Sequence, residues 1–144
     1  MPHSRIHSIP SPKLLSPLGR GLAGLQLTKE TLTIILLGLP LLRAQPVLFP
    51  AALPGMVLYI FRWTMVLGRV RRRAATAMWL FTLLDELWGL AVYLRAVDEP
   101  TARQMRYLTW SYALGMGFTV AALLEIGYGR YRERRRLRVL AKAA

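Results

Sequence analysis

The sequence predicts an all-α integral membrane protein, a helical bundle built from four apolar helical segments. Its 144 residues are 54% hydrophobic, and their mean hydropathy is +0.34. Residues 74–94 and 107–129 are apolar over about 31 Å and about 34 Å as helices, enough to cross a hydrocarbon core of about 30 Å. Basic residues gather directly outside the apolar segments, as membrane topology requires. The net charge of +13 therefore favours a membrane protein over a nucleic-acid-binding one.

Residues 1–28 predict a basic, irregular leader that lies on the membrane surface. This region has no acidic residue and contains four prolines, which oppose the amphipathic helix of an organelle transit peptide. The order of regions typical of a signal peptide is also missing. His3 and His7 have the spacing of two metal ligands on a helix, but prolines flank them and no third ligand is near. We therefore expect no metal site here.

The first two apolar segments predict a short hairpin. Its helices are expected at about residues 29–42 and 55–72, separated by a run that contains Pro46, Pro50 and Pro54. Prolines at this spacing remove backbone donors and clash with preceding carbonyls, so a straight helix through them is not expected. Both arms are short for a full crossing, which predicts tilt, local thinning or partial insertion.

The last two segments, at about residues 74–94 and 107–129, predict full transmembrane spans. The polar turn of residues 95–106 joins them. Aromatic residues stand near both ends of the final span, as interfacial belts do. The membrane domain therefore covers residues 29–129, and residues 130–144 form a basic tail that we expect to continue as a helix.

The distribution of Lys and Arg predicts the orientation. Four crossings place fifteen basic residues with the leader, the 69–73 loop and the tail, and four on the opposite side. Three crossings give eleven against eight. The positive-inside rule therefore favours four segments with both termini in the cytoplasm. We expect a multi-pass protein of the bacterial inner membrane, with an organelle inner membrane as the alternative.

Four charged residues inside the apolar segments are candidate functional groups. Asp85 and Glu86 lie near the middle of one span, Glu125 lies in the last span, and Arg62 lies in the second helix. An ionised carboxylate at mid-membrane costs roughly 2.5–3.5 kcal/mol, so each acid should be paired, protonated or hydrated. Internal pairing that fixes helix order is favoured over a proton or cation relay, because no histidine or polar run continues a route. Similar depths predict an Arg62–Glu125 ion pair.

Two further sets of residues indicate contacts. Ser111, Gly115 and Ala122 are small and allow close approach of another helix. Arginines at the basic end are expected to bind anionic lipid headgroups at about 1 kcal/mol each, or to act only as a stop signal. RNA contact is the third alternative, but no aromatic residues interleave for base stacking, so no specific nucleic acid is expected. These arginines are Arg71, Arg72, Arg73, Arg130, Arg132, Arg134, Arg135, Arg136 and Arg138.

The sequence indicates a non-catalytic role. It has no nucleophile–base pair, phosphate-binding glycine loop or metal-ligand cluster, and no cysteine, so we expect neither an enzyme nor a cofactor. The main hypothesis is an accessory, scaffold or assembly component of a larger membrane complex. Its partners would be the bilayer and other membrane subunits or further copies of itself. One alternative is a small proton- or cation-coupled transporter that uses the intramembrane acids. Another is a holin-like pore, since phage holins are similarly short with a basic tail.

Overall fold

The computed structural model describes residues 14–143, which form five α-helices joined by short turns. A π-helical turn, Ile34–Gly38, joins the first two helices, and a 3-10 turn, Pro46–Leu48, precedes the third. The described residues contain no strand beyond an isolated bridge between Leu14 and Arg71. The all-α prediction is confirmed. The helices are α1 (Pro17–Thr33), α2 (Leu39–Ala44), α3 (Phe49–Val66), α4 (Arg72–Ala96) and α5 (Ala102–Ala143).

The first helix starts well before its predicted position. Ser16 caps it, because its Oγ accepts a hydrogen bond from the Gly19 backbone N–H at 3.0 Å. Pro17 occupies the first turn, where its missing N–H costs no helical hydrogen bond. The prediction of irregular structure is therefore wrong for residues 17–28. Residues 1–13, with the two leader histidines, lie outside the described residues.

The π-helical turn lets the first segment run on into α2. Pro40 lies in the first turn of α2 and cannot donate a backbone hydrogen bond to the preceding turn. A wider π turn just before a proline relieves the clash between its ring and the preceding carbonyls. Together α1, the π turn and α2 form one 28-residue segment, Pro17–Ala44.

The chain reverses at Gln45, inside the predicted bend, but the second helix begins earlier than predicted. Pro46 opens the 3-10 turn, and Pro50 lies in the first turn of α3, where a missing donor is tolerated. Only Pro54 lies inside α3. Two of the three prolines therefore help to begin the helix, and α3 runs over Phe49–Val66 in place of the predicted 55–72.

Four segments are long and apolar enough to cross a membrane, which supports a multi-pass membrane protein. The two arms of the hairpin have 28 and 21 residues, or about 42 Å and about 31 Å as helices. Both arms are therefore longer than the sequence predicted, and each is long enough for a full crossing. Large apolar side chains are exposed on all helices, as a lipid-facing surface requires. The segments are Pro17–Ala44, Pro46–Val66, Arg72–Ala96 and Ala102–Lys142.

Three parts of the chain meet at one end of the bundle, which we call the arginine end: the start of α1, the 67–71 loop and α5 near Arg130. The Leu15 N–H donates to the Val70 carbonyl at 3.2 Å, which joins the start of α1 to the loop between α3 and α4. Arg130 of α5 donates to Thr76 Oγ1 of α4 at 3.0 Å. Beyond Arg130, α5 continues for 13 residues, about 20 Å, past the rest of the bundle. We call residues 131–143 the basic arm.

The bundle interior has two apolar parts with polar groups between them. The part near the arginine end includes Trp79, Met65 and Ala122, all with at most 1% of their surface exposed. The part near the opposite end consists of Leu37, Tyr93 and Leu108 with their neighbours. α1 packs against α3 and α5, and α4 also packs against α3 and α5. Charged side chains from α1, α3 and α4 lie inside this arrangement.

Candidate functional site: a buried charged cluster

Five ionisable side chains from three helices meet inside the bundle. Two ion pairs form among them: Lys29 Nζ lies 2.7 Å from Glu86 Oε1, and the Arg62 guanidinium contacts the Glu30 carboxylate. The Arg62 side chain is only 2% exposed, and those of Lys29 and Glu86 are 9% and 6% exposed. We call the set the buried charged cluster; it comprises Lys29, Glu30, Arg62, Asp85 and Glu86.

Gln26 connects the two ion pairs into one network. Its Nε2 donates to Glu86 Oε1 at 2.6 Å and to Glu30 Oε1 at 3.0 Å. Arg62 Nη2 also donates to Thr82 Oγ1 of α4 at 2.5 Å. Each of the two buried cations thus has a carboxylate partner and a path of hydrogen bonds to another helix. The network ties α1, α3 and α4 together, and paired charges offset much of the cost of burial.

Glycines on two helices give the carboxylates their space. A Cβ at residue 115 of α5 would collide with both carboxylate oxygens of Glu86. A Cβ at Gly55 of α3 would lie 3.1 Å from Asp85 Oδ2. The backbone of α5 can therefore approach Glu86 only because residue 115 carries no side chain. Gly117, half a turn away, has nothing within 4 Å of an added Cβ.

Asp85 is the member of the cluster without a direct partner. Within residues 14–143 its half-buried carboxylate has no ion pair or hydrogen bond. Arg62, Glu86 and Lys29 are near enough to act on it electrostatically. Three carboxylates thus face two cations. Two neighbouring oxygen atoms, Gln26 Oε1 and Glu86 Oε2, are also buried without a hydrogen-bond partner.

The structure does not bring Arg62 and Glu125 together, and the predicted pair is corrected. Glu125 Oε1 accepts a hydrogen bond from Ser16 Oγ at 2.6 Å, near the arginine end. Arg62 contacts Glu30 instead. The physical reason is that α1 packs against both α3 and α5, and it supplies a partner to each charge.

Sequence reasoning missed the contribution of α1 to this site. The prediction places Lys29 and Glu30 in the first turn of a helix that begins at residue 29, near the membrane surface, because the prolines oppose an earlier helix start. A signal was present, since Gln26, Glu30 and Thr33 have the four- and three-residue spacings that share one helical face. A polar face opposite apolar leucines inside a helix marks contact with other polar helices.

The three small residues of α5 lie on its inner face. Ser111 Oγ is 2.6 Å from Thr33 Oγ1 of α1, and either hydroxyl can donate. Gly115 adjoins Glu86, and Ala122 is fully buried in the apolar part near the arginine end. The packing partners at these positions are therefore α1 and α4 of the same chain.

The arginines proposed to bind lipid lie apart from the cluster. Arg71, Arg72 and Arg73 stand at the arginine end, where the Arg72 guanidinium lies beside Gly129. Arg130 is level with them and bonds to Thr76. The others, from Arg132 to Arg138, are exposed along the basic arm.

Neither comparisons with known proteins nor candidate metal ligands assign a role to the buried charged cluster. No family model, no curated protein and no solved structure matches the chain. Among residues 14–143, no group of three or more His, Cys, Asp or Glu side chains is placed to hold a metal ion. The site must therefore be interpreted from its own geometry.

We predict that Arg62 and Glu30 are energetically coupled. Arg62→Met or Glu30→Gln alone leaves an uncompensated buried charge, which costs roughly 3–5 kcal/mol. The double variant should lose clearly less stability than the sum, as measured by thermal unfolding in detergent. The matched control is Arg62→Met with Glu125→Gln, whose losses should add within about 0.5 kcal/mol. Additive losses for Arg62 and Glu30 would contradict the ion pair.

We predict that Gly115→Ala destabilises the bundle, whereas Gly117→Ala does not. Glycine-to-alanine changes in a helix normally gain up to about 1 kcal/mol. At residue 115 the new methyl group meets the Glu86 carboxylate, and such overpacking costs about 1–3 kcal/mol. The melting temperature in detergent should therefore fall for Gly115→Ala and stay level or rise for Gly117→Ala. Equal melting temperatures would show that Glu86 does not occupy this space.

Proposed function

We propose that the protein is a non-catalytic accessory, scaffold or assembly component of a larger membrane complex. The observation that carries this proposal is the basic arm, which extends the final span beyond the arginine end. Over residues 131–142 its side chains are exposed except for Glu133, which is half-buried. A continuous helix from the membrane gives the arm a defined direction, as a surface that presents charge to a partner requires.

The position of each basic residue along the arm decides whether it can reach lipid headgroups or only a partner beyond them. The headgroup layer adds only about 5–8 Å beyond the hydrocarbon core on each side. Arg132 and Arg134 lie about 3 Å and about 6 Å past Arg130, which suits anionic headgroups. Arg138 and Lys142 lie about 12 Å and about 18 Å past Arg130 along the helix axis. These distal charges support a partner in the aqueous phase.

The outer face of α5 supports association within the membrane. Ala113, Gly117 and Ala121 are exposed and recur every four residues, so they share one face. Such small residues allow the backbone of another transmembrane helix to come close. A subunit of a complex or a second copy of this chain would fit this face. The pairing of four of the five cluster charges inside the bundle agrees with a structural role for the interior.

A small proton- or cation-coupled transporter is the second candidate. Asp85 favours it, because an intramembrane carboxylate without an ion pair is the kind of group that such proteins use. The holin-like pore stays a hypothesis, and no particular contact favours it.

We further propose that the arginine end and both termini face the cytoplasm. Four basic residues lie at the opposite end: Arg43, Arg95, Arg103 and Arg106. Lys29 and Arg62 lie inside the bundle, and the other twelve described basic residues are at the arginine end or on the basic arm. This asymmetry follows the positive-inside rule.

The orientation can be measured with single cysteines, since the chain has none of its own. Thr101→Cys should react with a membrane-impermeant thiol reagent applied from outside intact cells. Lys142→Cys should react only after the membrane is permeabilised. Both positions are exposed, so access is not limited by burial. Labelling of Lys142→Cys from outside would reverse the proposed orientation.

The scaffold role is tested by neutralising the distal arm. The variant Arg136→Gln, Arg138→Gln, Lys142→Gln removes three charges that lie about 9 Å, about 12 Å and about 18 Å past Arg130, beyond the headgroup layer. The control Arg69→Gln, Arg71→Gln, Arg73→Gln removes the same number from exposed positions at the arginine end. After extraction from the native membrane in mild detergent, native mass spectrometry should show foreign subunits of defined mass with wild type and control. The arm variant should lose them and stay folded. A pure homo-oligomer of wild type would favour the transporter instead.

A further inference from the structure

The buried charged cluster contains one more acid than base. Lys29 is paired with Glu86 and Arg62 with Glu30, which leaves Asp85 without a counterion among the described residues. With all five groups ionised, the cluster carries one net negative charge. An uncompensated charge inside an apolar membrane domain is costly, and one additional positive charge would remove it.

Unpaired oxygen atoms on Glu86 of the cluster and on the adjoining Gln26 are a second, independent observation. Gln26 Oε1 belongs to a residue with 0% of its surface exposed, and Glu86 Oε2 to a residue with 7%. Neither accepts a hydrogen bond, although the two side chains contact each other through Gln26 Nε2. Buried acceptors normally find a donor, so the cluster lacks positive or hydrogen-bearing groups. A bound cation would supply what is missing.

The groups around Asp85 cannot supply this charge themselves. Lys29 of α1 and Arg62 of α3 are the cations that act on Asp85, and both are engaged with other carboxylates. Glu86 is its acidic neighbour on α4, and Tyr112 is the nearby ionisable group on α5. None of these groups offers a free positive charge to the Asp85 carboxylate.

We propose that the buried charged cluster binds one monovalent cation, H⁺ or Na⁺, at the carboxylate of Asp85. Carboxylate and amide oxygens suit both a proton and a hard cation. Asp85 is half-buried beside Gly55 of α3, so it is not fully enclosed within the bundle. Binding requires no transport, so the site is compatible with a scaffold role and does not depend on it.

The first test uses dicyclohexylcarbodiimide, an apolar reagent that reacts with the protonated form of carboxyl groups inside membrane proteins. The full-length protein in detergent is labelled, and the adduct is located by peptide mass spectrometry. We expect an adduct on Asp85 at low pH. If the natural cation is Na⁺, NaCl should reduce labelling at constant pH while choline chloride does not. If it is H⁺, Asp85 should still be labelled at about pH 7, where ordinary exposed carboxyl groups are ionised, and NaCl should have no effect.

The expected change is large enough to measure. A competing condition that leaves about one-tenth of the sites free lowers labelling about tenfold. An adduct on Asp85 that forms only at acidic pH, where ordinary carboxyl groups are also protonated, and that Na⁺ does not reduce, would overturn the proposal. The proposal would also be overturned if Asp85 carried no adduct and the melting temperatures of wild type and Asp85→Asn responded equally to Na⁺ and pH.

The second test compares melting temperatures of Asp85→Asn and wild type. A cation that binds only the folded protein raises the melting temperature. Wild type should therefore melt higher when Na⁺ replaces choline, or when the pH is lowered from 8 to 6. Asp85→Asn has nearly the same shape without the charge and should lose this response. Asp98→Asn, at an exposed loop acid, is the control and should keep it. Identical responses in all three proteins would refute the site.

Discussion

The need to pair Lys29 and Arg62 inside an apolar bundle is the constraint on which the helix arrangement depends. Lipid tails are as apolar as leucine, so burial of leucine does not choose between neighbouring helices in a membrane. The ion pairs to Glu86 and Glu30 do choose, because each joins α1 to a different helix. A helix order that separates the two members of an ion pair would leave both of their charges unpaired inside the bundle. The charged network therefore selects one packing among many apolar ones.

This constraint also explains where the backbone comes close. The Glu86 carboxylate fills the volume that a side chain at Gly115 would need, so α5 closes over α4 at that level. One turn away, the hydroxyls of Thr33 and Ser111 meet at 2.6 Å and hold α1 to α5. The polar contacts thus set the register of the helices, and the glycine allows the helix backbones to come close. The apolar parts at either end then fill the remaining space.

The fold was predictable from the sequence, while the partners inside it were not. Apolar length and the placement of arginines are enough to indicate four helical segments, because a bilayer demands both. The prolines at 17 and 50 predict later helix starts than the structure has, because the first turn of a helix tolerates proline. For Arg62, the rise per residue gave its depth in the membrane but not its direction around the bundle axis. Similar depth in the membrane would allow Arg62 to pair with Glu125. The two do not meet, because α1 packs between α3 and α5.

The unbroken length of α5 has a mechanical consequence. α5 is a single helix of 42 residues, about 63 Å long. In the proposed orientation it joins the bilayer interior to the aqueous phase without a break. Transmembrane helices adjust their tilt when the hydrocarbon layer becomes thinner or thicker. A change in tilt of about 10° at the arginine end would sweep the far tip of the arm through about 3 Å. A partner bound to the arm, as proposed, would thereby move when the thickness of the surrounding lipid changes.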